Sequence, residues 1–286
     1  MILYHYCTTH TFHSIVQNES FRLSALTQSN DYQEGRLVAD AVERLAKTDG
    51  LKQEELARLQ QDVSSMETSV EGLAFCLSRK GDLLSQWRGY AGNGTGVSIG
   101  IDSFYLKELC KLGPSEERPR MHLKKILYKI SDHDKAISAA YGEVKAKLST
   151  GEWNKIKGMS LYDRALGKRN ADSVKAELKA NLELSRTSIA FIEHLFLLKS
   201  YAFKEENELR LLSLFPRSRS SNLEYRCTDS QIIPFRTCKL EKLNHKSITH
   251  VILGPKHQTP KAVVASFLEQ CGFGQVIVSN STASYR

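Results

Sequence analysis

The spacing of apolar positions changes several times along this chain, and each change marks an element. Residues 2–7, Ile-Leu-Tyr-His-Tyr-Cys, form an apolar and aromatic run that reads as a strand. Thr8 and Thr9 offer hydroxyls to cap a short helix near Thr11–Gln17. Phe21 to Ala25 reads as a second short strand. Leu37, Val38, Ala41, Val42 and Leu45 then keep helical spacing. After the Asp49-Gly50 turn comes a polar helix from about Lys52 to Met66. Its few apolar anchors predict a peripheral position.

Val70 to Ser78 reads as a core strand, Leu83 to Tyr90 as a short helix, and Val97 to Ile101 as a strand entered through Gly92-Asn-Gly-Thr-Gly. Those glycines precede a strand rather than a helix, which is the wrong order for a dinucleotide-binding turn, so they read as a plain turn. A basic strand is expected near Lys124 to Ile130, with Asp132 as a helix cap. From about Asp132 to Tyr201 the pattern is helical: Ile137, Tyr141, Val144 and Leu148 share one face, and Val174, Leu178 and Leu182 another. Strands return at Glu208 to Phe215, within Cys227 to Leu240, and at Thr249 to Leu253. Thr259-Pro260 opens a helix with a face of Val263, Val264, Phe267 and Leu268, and Val276 to Val278 closes the chain as a strand. Strands at both ends with a helical middle predict one α+β domain over residues 1–286, with a helical insertion at about 103–200.

Composition narrows the class. The chain has 286 residues, 41% hydrophobic and 25% charged, which suits a sizeable buried core and argues against disorder. No opening segment resembles a signal peptide, and no apolar run is long enough to span a bilayer, so a cytoplasmic protein without membrane partners is expected. The six cysteines are scattered, with none at zinc spacing, so free thiols and no metal are expected. The net charge of +8 favours polyanionic partners such as nucleic acid, and seven of the basic residues, from Lys107 to Lys129, fall close together.

The densest chemistry is Glu206-Asn-Glu208-Leu-Arg210. On a strand, residues two apart share a face, so two carboxylates and a guanidinium would stand in one row. Such a row suits a ligand, or a solvated ion pair at a surface junction. His5 in an apolar strand reads equally as a satisfied core residue. Ser78 ends a strand on a hydroxyl. Trp87 and Tyr90, three apart on a helix, suit core packing or stacking on a planar ring.

Taken in order, Leu3-Tyr-His-Tyr, Leu23-Ser24 with Asn30-Asp31 and Glu34, Phe75-x-Leu-Ser78, Trp87-x-x-Tyr90, Gly96-Val97, Phe203-x-x-Glu206-x-Glu208-x-Arg210, Val251-Ile-Leu-Gly-Pro-Lys and Ser281 to Arg286 resemble a bacterial family known only as domain of unknown function 2971. The resemblance runs along essentially the whole chain, with Phe203 where the family often has Trp. A more distant resemblance is to ADP-ribosyltransferases, including toxins that modify DNA. These also open with a Tyr-His strand, carry a Phe-rich strand ending near Ser or Arg, and place a catalytic Glu on a late strand, often as Glu-x-Glu.

That resemblance implies a split mixed or antiparallel central sheet of the ADP-ribosyltransferase type. It implies NAD as substrate and no metal. Glu208 would be the principal catalytic carboxylate, Glu206 would assist acceptor activation, and Ser78 would brace the glutamate. His5, Tyr6, Ser24, Asn30, Asp31, Arg79, Trp87, Tyr90 and Arg210 would contact NAD. The expected function is an ADP-ribosyltransferase toxin modifying RNA or DNA, in anti-phage defence or a toxin–antitoxin system, with an antitoxin or chaperone as a possible protein partner. Two alternatives remain open: an NAD glycohydrolase of the same fold, and a non-catalytic nucleic-acid-binding module of a defence complex.

Overall fold

A computed structural model describes residues 1–28, 35–116, 118–154, 171–217, 223–228 and 230–285. Its strands are β1 (Ile2–Cys7), β2 (Ser20–Ala25), β3 (Val70–Ser78), β4 (Val97–Asp102), β5 (His122–Lys125), β6 (Glu208–Pro216), β7 (Glu224–Cys227), β8 (Ile232–Lys239), β9 (Ile248–Leu253) and β10 (Ile277–Asn280). Its helices are α1 (Thr9–Gln17), α2 (Leu37–Thr48), α3 (Gln53–Ser69), α4 (Leu84–Tyr90), α5 (Ser103–Lys111), α6 (Ile130–Leu148), α7 (Ala171–Ser188) and α8 (Lys261–Gln270). The chain divides into two compact units. One combines residues 1–30, 71–126 and 201–286, the other residues 31–70 and 127–200. The helical stretch after residue 127 thus shares its unit with α2 and α3, whereas 103–126, with α5 and β5, goes with the sheet.

The sheet unit is α+β with an open, mixed sheet. The order is β10-β9-β4-β1-β3-β2-β8-β7, with β6 joining β3 and β5 joining β6. β9 and β10 run parallel, joined through α8 as a right-sized crossover, while β1–β4, β2–β8 and β5–β6 are antiparallel. β3 has three partners: β1 where Tyr4 faces Ser78, β2 where Ser24 faces Ala74, and β6. A strand has only two edges, so two partners share one edge at different heights, and the sheet branches there.

Alternation along these strands assigns the two faces. Leu3, Cys7, Leu23, Phe75, Leu77, Ile99, Leu209 and Leu211 turn into the main core with Phe12, Tyr105, Leu106, Leu109, Val264 and Leu268 from α1, α5 and α8. The opposite face of β1 carries Tyr4 and Tyr6, packed with Trp87 and Ala91 of the α4 region. Thr8 caps α1, its Oγ1 accepting from the Thr11 N–H at 3.2 Å. Gly92–Gly96 is a turn, as its sequence predicts. Gly96 has no room for a side chain, because a Cβ there would collide with the Cys7 carbonyl oxygen.

In the helical unit, Val38, Ala41, Val42 and Ala46 of α2, Leu59, Val63 and Met66 of α3, and Ile137, Ala140, Tyr141, Val144 and Leu148 of α6 are buried. α3 is therefore less peripheral than its polarity predicts. Its buried Asp62 pairs with Arg58 at 3.1 Å and accepts from Ser188 Oγ at 3.1 Å, so a polar residue takes an interior position by being fully partnered. Two caps differ from expectation. Lys129 precedes α6 with no side-chain cap and Asp132 lies inside the first turn, where its charge still suits the helix dipole. Pro260, not Thr259, occupies the cap position of α8.

Candidate active site

The polar residues of the sheet unit converge where the chain enters β6. Residues Tyr201–Glu206 form a short 3-10 helix, Asn207 takes the left-handed conformation at φ 46°, and β6 begins at Glu208. Asn tolerates that conformation better than most residues, so Glu-Asn-Glu is a local turn signal as well as a charge pattern. The consequence is a correction: Glu206 and Glu208 do not lie on one strand face, because the backbone reverses hand between them.

Glu206 is fixed from two sides. Its backbone carbonyl accepts from Ser78 Oγ at 2.7 Å, and Ser78 Oγ in turn accepts from the Lys80 N–H at 3.1 Å. The Arg79 N–H donates to the Asn207 carbonyl at 3.3 Å. Ser78 thus braces the glutamate, through its main chain rather than its carboxylate. The carboxylate itself accepts from the Tyr90 hydroxyl at 3.0 Å. Tyr90 ends α4 and is 37% exposed, whereas Glu206 is 7% exposed. The contact therefore joins a buried carboxylate to a ring that reaches solvent.

Glu208 and Arg210 do share a strand face, and they pair with each other. Arg210 Nε donates to Glu208 Oε1 at 2.7 Å and Nη2 donates to Oε2 at 3.1 Å. Both side chains are buried, and Arg210 is among the largest fully buried residues. Because Leu209 and Leu211 turn into the main core, this pair turns to the face that carries Ser78 and Tyr4. Lys124 of β5 lies directly opposite Arg210 and adds a second cation there. Of the basic run from Lys107 to Lys129, Arg118 is held by Glu241 at 2.6 Å.

The other expected contact residues are separated by the sheet. His5 and Tyr6 point to opposite faces. The His5 ring stacks on Phe75 at 4.0 Å, and its Nδ1 lies 2.9 Å from the Cys76 carbonyl oxygen, which can only accept, so Nδ1 carries the proton. Burial lowers the His5 pKa to about 4, against a smaller opposing effect of that hydrogen bond, so the ring is neutral near pH 7. His5 is therefore a satisfied residue on the core side, away from the Ser78 face. Tyr6 donates to the Lys80 carbonyl at 2.9 Å and accepts from the Leu83 N–H at 2.9 Å, which fixes the loop before α4. Trp87 is fully buried against Tyr6, its Nε1 donating to Asp82 at 2.7 Å, so it offers no open ring for stacking; Tyr90 does. Arg79 is exposed, Ser24 is half-buried on β2, and Asn30 and Asp31 lie outside the described residues.

Asp82 is absent from the sequence-based set although it organises this region. It accepts from Trp87, from Ser281 Oγ at 2.5 Å, and from the Thr282 N–H and hydroxyl at 2.6 and 2.8 Å. Burial alone would raise its pKa, but these four donors prevail and hold it below the ordinary carboxylate value. Its main partners lie about 200 residues away in sequence, so no local pattern signals it.

Among the described residues no group of three or more His, Cys, Asp and Glu could hold a metal ion, and no helix is long and apolar enough to cross a membrane. A family model described as a protein of unknown function (DUF2971) matches residues 86–211. That span is narrower than a whole-chain resemblance. It contains Trp87, Tyr90, Glu206, Glu208 and Arg210, and leaves out His5, Ser24 and Ser78. No curated protein and no solved structure matches the chain.

Proposed function

We propose that this protein is an NAD-dependent ADP-ribosyltransferase acting on nucleic acid, as a toxin of bacterial defence or of a toxin–antitoxin pair. The observation that carries the reading is the Tyr90–Glu206 contact: a buried carboxylate, braced by Ser78 on the neighbouring strand, at the base of a partly exposed aromatic ring. In the proposed reaction the bond between nicotinamide and the ribose anomeric carbon breaks, and its electron pair leaves with nicotinamide. The anomeric carbon gains oxocarbenium character, which a nearby carboxylate stabilises electrostatically. The acceptor then bonds to that carbon and loses its proton.

Within this reading the two glutamates divide the work differently from the resemblance alone. Both Glu208 oxygens face Arg210, so its charge is locally compensated. A compensated carboxylate stabilises a developing cation poorly. We assign the transition-state role to Glu206 on its contact with the partly exposed Tyr90, with Tyr90 as the stacking surface for the nicotinamide ring, and give Glu208 the task of holding Arg210. An antitoxin that covers Tyr90 is consistent with this arrangement.

The deciding experiment incubates the protein with NAD labelled in its adenylate half, together with separate DNA, RNA and protein pools. Label transferred to DNA or RNA supports the proposal. Nicotinamide release without transfer moves the reading to hydrolysis, and intact NAD throughout overturns it in favour of a binding module.

A further inference from the structure

Two arginines of the sheet unit share one face without an ion pair to any described carboxylate. Their placement follows from register: Arg22 lies opposite Thr237, Ser24 opposite Phe235, and Arg226 opposite Ile233. Directly opposed residues share a face, as do residues two apart on a strand, so Arg22, Ser24, Phe235 and Arg226 lie on one side of β2, β8 and β7, with Arg22 and Arg226 flanking β8 at its positions 237 and 233. The Arg22 guanidinium lies over the Phe235 ring, 4.5 Å from its centroid. Arg226 is half-buried, and its pKa is lowered by burial first and by the charge of Arg22 second. The Glu224 carboxylate shares the face, and its Oε1 takes the Thr237 N–H at 3.1 Å and the Thr237 hydroxyl at 2.6 Å. Among the described residues, no carboxylate forms an ion pair with Arg22 or Arg226.

Two like charges on one face of a sheet repel across the intervening strand, and partial burial of one adds a desolvation cost. A guanidinium stacked on an aromatic ring is already oriented as a planar fork, so it gives up little freedom when it meets an anion. Two such forks approach a tetrahedral oxyanion from different sides, with charge-assisted hydrogen bonds from each. The Ser24 hydroxyl adjoins them on the same face.

We propose that this face is a phosphate-binding site, in which Arg22 and Arg226 clamp one phosphate or pyrophosphate group and the Ser24 hydroxyl adds a hydrogen bond. The chemistry is that of a phosphodiester or pyrophosphate, whether it belongs to a dinucleotide or to a nucleic-acid backbone. The inference rests on register and charge, so it stands or falls apart from the cleavage of NAD.

The test titrates the wild-type protein and the variants Arg22→Ala, Arg226→Ala, Arg226→Lys and Lys261→Ala with inorganic pyrophosphate, with NAD, and with a labelled single-stranded oligonucleotide. Each alanine variant at the clamp is expected to bind pyrophosphate about 10- to 100-fold more weakly. Arg226→Lys, which keeps the charge without the fork, should fall between, and Lys261→Ala, at an exposed lysine of α8, should match wild type. The melting temperature of the clamp variants should hold or rise, because a repulsion is removed. Whichever of NAD and the oligonucleotide weakens in step with pyrophosphate is the natural source of the phosphate; for the oligonucleotide the salt dependence should also flatten. Wild-type protein that ignores pyrophosphate overturns the proposal. So does unchanged affinity in both alanine variants, or an equal loss in Lys261→Ala.

Discussion

Glu208 and Arg210, two residues apart on β6, form a bidentate ion pair in which both side chains are buried, at 2.7 and 3.1 Å. Removing one partner breaks a buried ion pair, which typically costs about 3–5 kcal/mol. Glu208→Gln is therefore expected to lower stability by that amount in denaturant unfolding, while Glu208→Gln combined with Arg210→Met recovers a large part of it. A Glu208→Gln protein as stable as wild type but inactive would return the transition-state role to Glu208.

The Tyr90 hydroxyl contributes one hydrogen bond to a carboxylate, and its ring is partly exposed. Tyr90→Phe should change stability by about 1 kcal/mol or less. Glu206→Gln, which keeps shape and removes charge, should slow NAD cleavage by about 10²–10³. Rates and melting temperatures measured on the same preparations separate the two effects; full activity in Glu206→Gln would sink the assignment of that residue.

Stability should depend on pH through His5. Its pKa is lowered from 6.5 to about 4 in the folded chain, chiefly by burial. Between these values the unfolded chain binds a proton that the folded chain does not, so protonation favours unfolding. The contribution is present above pH 6.5 and is lost as the pH falls toward about 4. His5→Asn keeps a donor for the Cys76 carbonyl and removes the titration. Its unfolding free energy should fall less steeply over that window than that of wild type, and parallel curves would refute the account.

Asp82 acts in the opposite sense from a buried carboxylate without partners. Its folded pKa lies below the ordinary value, so its stabilisation is present above that value and disappears as the pH falls through the folded one. Asp82→Asn should destabilise the protein at neutral pH, with the difference narrowing in acid below about pH 4. A gap that is independent of pH would mean that the donors, rather than the charge, carry the effect.

Two glycines make a paired control. Gly96→Ala drives a Cβ into the Cys7 carbonyl oxygen, a backbone atom of the strand beside it, and should cost more than about 2 kcal/mol. Gly142 lies inside α6 with open space where a Cβ would go, so Gly142→Ala should stabilise by about 0.5–1 kcal/mol. Thermal unfolding of both variants is sufficient to check the signs.

The sequence by itself determined the elements. Periods of two and of 3.6 residues are local consequences of backbone geometry, so β1 at residues 2–7, β3 at 70–78 and the face of α6 could be read from spacing alone. The Glu208–Arg210 pair belongs to the same class, since residues two apart on a strand must share a face. Only the tertiary structure decided the rest. The Tyr90–Glu206 contact spans 116 positions and the tie of Thr282 to Asp82 spans 200, and no local pattern encodes either. The left-handed Asn207 broke the expected row at Glu206, a backbone choice made by the entry into β6. His5 was assigned to the core side, and Trp87 to full burial, by which neighbours the sheet and α4 brought against them. Strand alternation fixes that His5 and Tyr6 oppose each other, but which face receives the core is settled by the packing of helices far away in the chain.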